Sequence, residues 1–458
     1  MEEFQFRDDF HWGVSTSAFQ IEGAHDQYGK GPSIWDKFTE KKKTVSNQEN
    51  AKVACDFYHK FEEDLQTIKK LGIPNFRFSI SWARIYPEGY GHINQKGVDF
   101  YNRLIDRCLE LEIEPWVTLY HWDLPHNIEL RGGWTNRRIV DWFFEYTAFC
   151  VAHFGDRVKR WMVLNEPMVF TGAGYFLGIH APGRRGLKNF LPAVHHAVLA
   201  QAVSGSIIRD LRADSIVGTT FSCSLIEPFR PDNEKDIRAA KRVDALTNRL
   251  FIEPSLGLGY PVKELPFLNK MEKYMRHDDE ARMKFDFDFI GIQNYTREKI
   301  KNSTFTPYIG AKLIESSKRN VPTTEMGWEV YPKSLYAMAK KFSAYEGVKE
   351  VIVTENGAAF DDEIQNDKIY DANRISYIAQ NLKQLKRAHL EDFKVSGYFV
   401  WSLLDNFEWS EGYRPRFGIV HVDYKTLKRT LKSSALWYKQ LIQFNQTKIS
   451  ESILNSKS

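Results

Sequence analysis

The stretch VIVTENG at residues 351–357 decides how this chain is read. Four β-branched residues run into Glu355, and Asn356-Gly357 then turns the chain. A buried parallel strand would end this way, with one acidic side chain at its mouth. WMVL at 161–164 has the same form and ends in Asn165-Glu166-Pro167. The two strand-terminal glutamates, about 190 positions apart, are expected to face each other across one pocket.

Further apolar or β-rich runs lie at 12–16, 76–80, 116–120, 216–221, 289–292 and 397–404. Helical patterns separate them. Residues 57–71 set Phe57, Phe61, Leu65 and Ile68 at helical spacing, and 98–111 do the same with Phe100, Leu104, Ile105 and Leu109. Segments 140–154 and 193–211 are two more candidate helices. Eight strand-like runs alternating with helices predict an α/β fold, a single (β/α)8 TIM barrel. The segments after Glu166, Phe221 and Tyr295 are long and rich in Gly, Pro and charge, which predicts extended βα loops. No linker or low-complexity stretch divides the chain. A barrel domain over 1–445 is expected, with 446–458 as a polar C-terminal tail.

Composition narrows the function classes. Hydrophobic content of 43% and charged content of 27% belong to a globular protein with a large core. The 14% aromatic content fits either that core or a carbohydrate site, where flat sugar faces meet rings. The net charge of +4 is small for 458 residues, and the basic run at 41–43 reads as a solvated loop, so nucleic acid is not expected as a partner. The first residues, MEEFQ, lack the basic and apolar regions of a signal peptide. No apolar stretch is read as approaching the roughly 20 residues needed to span a membrane. Cys55, Cys108, Cys150 and Cys223 are widely spaced in apolar or helical surroundings, which predicts reduced core residues. A cytoplasmic enzyme without a membrane partner is expected.

A barrel gathers its chemistry at the carboxyl ends of the strands. The polar residues near those ends are Gln20, Arg77, His121-Trp122, Asn165-Glu166, Gln293-Asn294-Tyr295, Glu355, Trp401 and Glu408-Trp409. Alone, Asn165-Glu166-Pro167 reads as ordinary helix initiation and VIVTENG as a turn after a strand. Together they fit glycoside hydrolysis by paired carboxylates. One acid must be protonated to give its proton to the departing oxygen. The other must be ionised to attack or support the developing oxocarbenium carbon. Arg77 and Tyr295 are candidate donors to the attacking carboxylate. No dinucleotide fingerprint, Walker loop or nucleophile elbow is present, and His195-His196 lacks metal-ligand spacing. No metal or other cofactor is expected.

These residues carry a family resemblance over about 4–444. FHWGVSTSAFQIEGA at 10–24, LNEP at 164–167, IVTENG at 352–357 and WSLLDNFEW at 401–409 occur in the order found in glycoside hydrolase family 1, which the chain resembles. The resemblance implies a retaining β-glucosidase with Glu355 as nucleophile and Glu166 as acid/base. It implies that Gln20, His121, Asn165, Glu408 and Trp409 bond the hydroxyls of the non-reducing sugar, that Trp401 lies under its ring, and that Trp328 lines the leaving-group side. The expected partners are small glycosides or oligosaccharides, with β-galactosides and β-fucosides as side substrates; self-association is left open. Transglycosylation through the same residues and sugar binding without catalysis are the alternatives.

Glu166 argues against a thioglucosidase, in which Gln replaces the acid, and the carboxylate at Glu408 argues against a phosphorylated sugar. Two positions depart from the family pattern. Gln293 is one methylene longer than the usual Asn, and Met168 stands where many members carry Trp. The first bears on a contact near the nucleophile, the second on aglycone choice.

Overall fold

The computed structural model describes residues 1–366 and 368–456, with side chains described as far as 447. Eight parallel strands close into a barrel. They are β1 (His11–Ser15), β2 (Asn75–Ser79), β3 (Glu114–Tyr120), β4 (Arg160–Asn165), β5 (Ile216–Ser222), β6 (Phe289–Gln293), β7 (Val351–Asn356) and β8 (Val395–Trp401). Each strand pairs with its neighbours in sequence, and β1 pairs with β8 to complete the ring. The eight runs read from the sequence all fall on these strands.

Helices cover the outside. The main ones are α1 (Phe57–Leu71), α2 (Gln95–Glu110), α3 (Ile139–Phe154), α4 (Leu187–Leu211), α5 (Lys333–Ser343), α6 (Ala372–Leu390) and α7 (Ser433–Ser456). In α1 the apolar stripe Phe57, Leu65, Ile68 and Leu71 is buried. The helix stops at Gly72, whose φ of 67° lets its N–H reach back to Ile68 and Lys69. Helix α4 begins before the sequence pattern predicts and carries Pro192 within it. At 25 residues it is also long and apolar enough to cross a membrane, which corrects the expectation that no such stretch exists. Its most apolar window is 83% buried inside the protein, so that surface is already spent on packing against α3 and its neighbours.

The four cysteines are buried and free of disulfides. Asn445 on α7 accepts from the Phe6 N–H at 3.0 Å and donates to the Phe4 carbonyl at 3.2 Å, tying the amino-terminal segment to the last helix. Of the segment set apart as a tail, 446–456 continue α7, while 457 and 458 lie outside the described residues.

Within the barrel, Trp116, Met162, Phe289, Ile352 and Phe399 form one fully buried apolar cluster. Trp116 meets Phe399 and Phe289 edge-on at centroid distances of 4.8 and 5.8 Å. Gly13 makes room for this layer, since a Cβ there would sit 2.3 Å from the Phe399 ring. Three or four residues further along β4, β6 and β7 the interior turns polar, at Asn165, Gln293 and Glu355.

Candidate active site

Two backbone irregularities aim the key side chains. Counted from inward-facing Ile352 with strict alternation, Glu355 would fall on the opposite face of β7. The pairing of β7 with β6 slips between Val353 and Glu355, and that bulge turns the carboxylate inward. On β4 the same slip occurs between Met162 and Asn165. Strand β6 runs regularly against β5, and Phe289, Gly291 and Gln293 stay on one face. Glu166 follows Asn165 in the left-handed region, with φ 45°, and Pro167 opens the short helix Pro167–Thr171. Trp122 and Trp409 also hold positive φ, at 76° and 50°. Backbone strain is thus stored around one cavity.

That cavity has a volume of about 680 Å³ and opens at the carboxyl ends of the strands. Nine of the candidate residues line it, Glu166 and Glu355 among them, whereas Gln20, Arg77, Asn165 and Gln293 do not. These four stand behind its wall and are tied to it by hydrogen bonds. Arg77 is fully buried and donates through Nη1 to Glu355 Oε1 and through Nη2 to Asn165 Oδ1. Tyr295 donates its hydroxyl to Glu355 Oε2 at 2.7 Å. Gln293 Nε2 reaches both Glu355 Oε1 and Asn165 Oδ1 at 2.7 Å, so the longer side chain spans Glu355 and the amide beside Glu166.

Asn165 Nδ2 donates to His121 Nε2 at 3.0 Å, which puts the ring's proton on Nδ1, a nitrogen without a protein partner among the described residues. Burial holds His121 neutral. Gln20 donates to Asn406 Oδ1 (3.0 Å), the Phe407 carbonyl (2.9 Å) and Glu408 Oε2 (3.3 Å). Trp409 sits among Phe19, Trp35 and Trp122, and the Trp122 indole donates to the Asn165 carbonyl at 3.0 Å. Trp401 precedes a cis peptide to Ser402 and lies near His121, and Trp328 packs on Tyr295.

The two glutamates sit in unlike surroundings. Burial lifts both carboxyls. At Glu355 the Arg77 guanidinium, then the hydrogen bonds from Arg77 and Tyr295, pull back against it. At Glu166 the charge of Glu355 adds to burial, and the carboxyl is held well above its ordinary range. Glu166 is therefore the carboxyl that holds a proton more firmly than Glu355. Glu408 is pushed up to about 8, by burial and then by Glu355. No cluster of three or more His, Cys, Asp or Glu able to hold a metal ion occurs among the described residues. His195 and His196 are core residues, bonded to Asp279 at 2.8 Å and to the Trp134 carbonyl at 2.8 Å.

Met168 is not part of the cavity wall; its neighbour Val169 is. The rim contains residues the sequence reading missed, among them Ile179, Glu298 and Leu313. They come from long connections between barrel elements and have no local motif that marks them.

Residues 2–447 match the glycosyl hydrolase family 1 profile. The chain is 43% identical to the 1,4-beta-D-glucan glucohydrolase of Thermotoga neapolitana, over 96% of this chain and 99% of that one. It is 44% identical to beta-glucosidase A of Thermotoga maritima, over 96% and 98%. A solved structure of the Thermotoga maritima beta-glucosidase in complex with deoxynojirimycin superposes with a TM-score of 0.93 at 43% identity, covering 96% of this chain and 99% of that one. A closed eight-stranded barrel, paired strand-terminal glutamates and a match along nearly the whole chain agree, and the protein belongs to glycosyl hydrolase family 1.

Proposed function

We propose that the protein is a retaining β-glucosidase that releases a terminal β-D-glucosyl residue by double displacement. The unequal treatment of the two glutamates carries this reading. Glu355 receives Arg77, Tyr295 and Gln293 and is poised as an anion, whereas Glu166 takes a long bond from Asn165 at 3.5 Å and one from the Ser222 hydroxyl, has no cation bonded to it among the described residues, and keeps a proton. In the first step Glu355 attacks the anomeric carbon and forms a glycosyl ester. The bond to the leaving oxygen breaks, and Glu166 supplies that oxygen with its proton. Water then gives a proton to Glu166 and attacks the anomeric carbon from the opposite side, and the bond from that carbon to the Glu355 oxygen breaks to free the carboxylate.

Trp401 offers a flat face to the sugar ring, and His121 and the Glu408 carboxyl line the space its hydroxyls would fill. The acidic lining disfavours a 6-phosphorylated sugar. Relatives named for β-glucosidase activity, one of them solved with a sugar mimic, support the sugar class. β-Galactosides and β-fucosides differ little in what these groups must read, and we propose them as slower substrates.

Purified protein would be given 4-nitrophenyl β-glucoside, β-galactoside, β-fucoside, β-mannoside and 6-phospho-β-glucoside. The first-formed anomer of the released sugar would be followed by proton NMR. Turnover of the glucoside with the β anomer appearing first is the expected result. An α anomer first would rule out the ester, turnover of the phosphorylated sugar alone would overturn the role of Glu408, and binding without turnover would leave a sugar-binding protein.

A further inference from the structure

The cavity changes character from floor to mouth. Its floor is buried and polar, with Glu355 3% and Trp401 3% exposed. Its outer walls are apolar and open: Ile179 is 55% and Leu313 47% exposed, and the half-buried Val169 and Trp328 also line the cavity. If the sugar occupies the floor, as the preceding reading has it, the group beyond the scissile oxygen must occupy this outer half.

Charged side chains on the outer wall are engaged by one another, with one exception. Arg297 binds Glu329 at 2.7 Å and Glu227 at 2.9 Å, Arg319 binds Glu329, and Glu315 meets Lys318 at 3.1 Å. Glu298 lies on the strand Arg297–Asn302 beside the barrel mouth and lines the cavity. Its flanking cations, Arg297 and Lys299, both turn to Glu227. Glu298 makes no side-chain hydrogen bond or ion pair among the described residues, and burial pushes its carboxyl up. A half-buried carboxyl without a partner loses hydration and gains nothing in return until something fills the cavity.

We propose that Glu298 is a specificity residue on the leaving-group side of the cavity, where its carboxyl accepts a hydrogen-bond donor, a hydroxyl or an ammonium, carried by an otherwise apolar aglycone. This inference rests on the β-glucosidase reading of the floor. It assigns the apolar walls to the body of the aglycone and Glu298 to its polar end, so a wholly apolar aglycone leaves the carboxyl unpaired. The residue sets preference among leaving groups and takes no part in the chemical steps.

The test compares kcat/KM on phenyl β-glucosides carrying 4-methyl, 4-hydroxymethyl or 4-aminomethyl groups, for the wild type, Glu298→Ala and Glu298→Gln. The quantity read is the preference for each donor-bearing substrate over the methyl one within a given enzyme. Comparing that ratio between enzymes cancels the acidity of the phenols. The wild type should favour both donors by about tenfold. Glu298→Ala should bring both ratios near one. Glu298→Gln, which keeps an acceptor oxygen, should retain the hydroxymethyl preference and lose the aminomethyl one, and it also carries the test if the alanine variant does not fold. Equal ratios in wild type and Glu298→Gln for the aminomethyl substrate, or no wild-type preference for either donor, would overturn the proposal. Absence of turnover on every β-glucoside would instead overturn the reading of the floor.

Discussion

The barrel interior holds two layers built on the same strands. Met162, Phe289 and Ile352 belong to the lower layer, and Asn165, Gln293 and Glu355, three or four residues on, belong to the upper. The lower layer is held mainly by shape: rings interlock, Gly13 leaves space for Phe399, and the one indole among them donates to Asn75 Oδ1 at 2.9 Å. The upper layer is held by pairing. A buried cation and a buried carboxylate each lose several kcal/mol of hydration, so Arg77 and Glu355 must be paired. Asn165 Oδ1 accordingly takes Arg77, Gln293 and Thr220 together. The layers touch where the Arg77 Nε–H points at Met162 Sδ, 3.0 Å away. A fold supported by the apolar layer can thus carry a charged one whose arrangement serves chemistry.

The comparison is broken most sharply from above. Glu355→Gln keeps the size of the side chain and removes the anion, so kcat/KM on 4-nitrophenyl β-glucoside should fall by about 10⁴-fold or more. Circular dichroism should remain that of the folded barrel. A loss of less than about tenfold would mean that another group attacks.

From below, Gly13→Val should act in the opposite sense. The added carbons meet the Phe399 ring, which is fixed between strands, and should cost about 3 kcal/mol. Thermal unfolding should move down while kcat per intact site, counted by a slow covalent inactivator, changes little. If kcat falls and the melting temperature holds, the two layers are not separable.

A smaller effect sharpens the upper layer's dependence on charge. The folded chain holds the Glu408 carboxyl at about 8, above its unfolded value, so the unfolded chain releases this proton first as pH rises. The stability it contributes is complete below the ordinary carboxylate range and is lost as pH climbs through about 8. Glu408→Gln does not titrate. Its melting temperature should gain on the wild type between pH 5 and 8 by about 2 °C. A difference that is constant over this window would mean that Glu408 is ionised throughout.

Sequence by itself determined much of this protein. Each barrel strand is built on β-branched or aromatic residues, and such runs declare themselves because a strand buried on both faces has few polar positions to interrupt it, Arg77 within β2 being an exception. Glu166 and Glu355 were legible for the same reason, as lone acids where apolar runs stop. Helix α1 was read to its last residue, since apolar spacing and Gly72 are both local signals. Helix α4 was read late, because a proline looks like a boundary until tertiary packing carries the helix across it.

Only the tertiary structure decided where the side chains point and what they meet. Alternation along the strand would send Glu355 and Asn165 to the wrong face, and the slips against neighbouring strands that correct this depend on partners far away in sequence. Gln293 could not be read as a bridge, because its two acceptors come from β4 and β7. Glu298 looked like any charged residue on a polar strand. Its lack of a partner emerges only when Arg297 and Lys299 are seen to turn away, since pairing depends on distances that the order of residues does not contain.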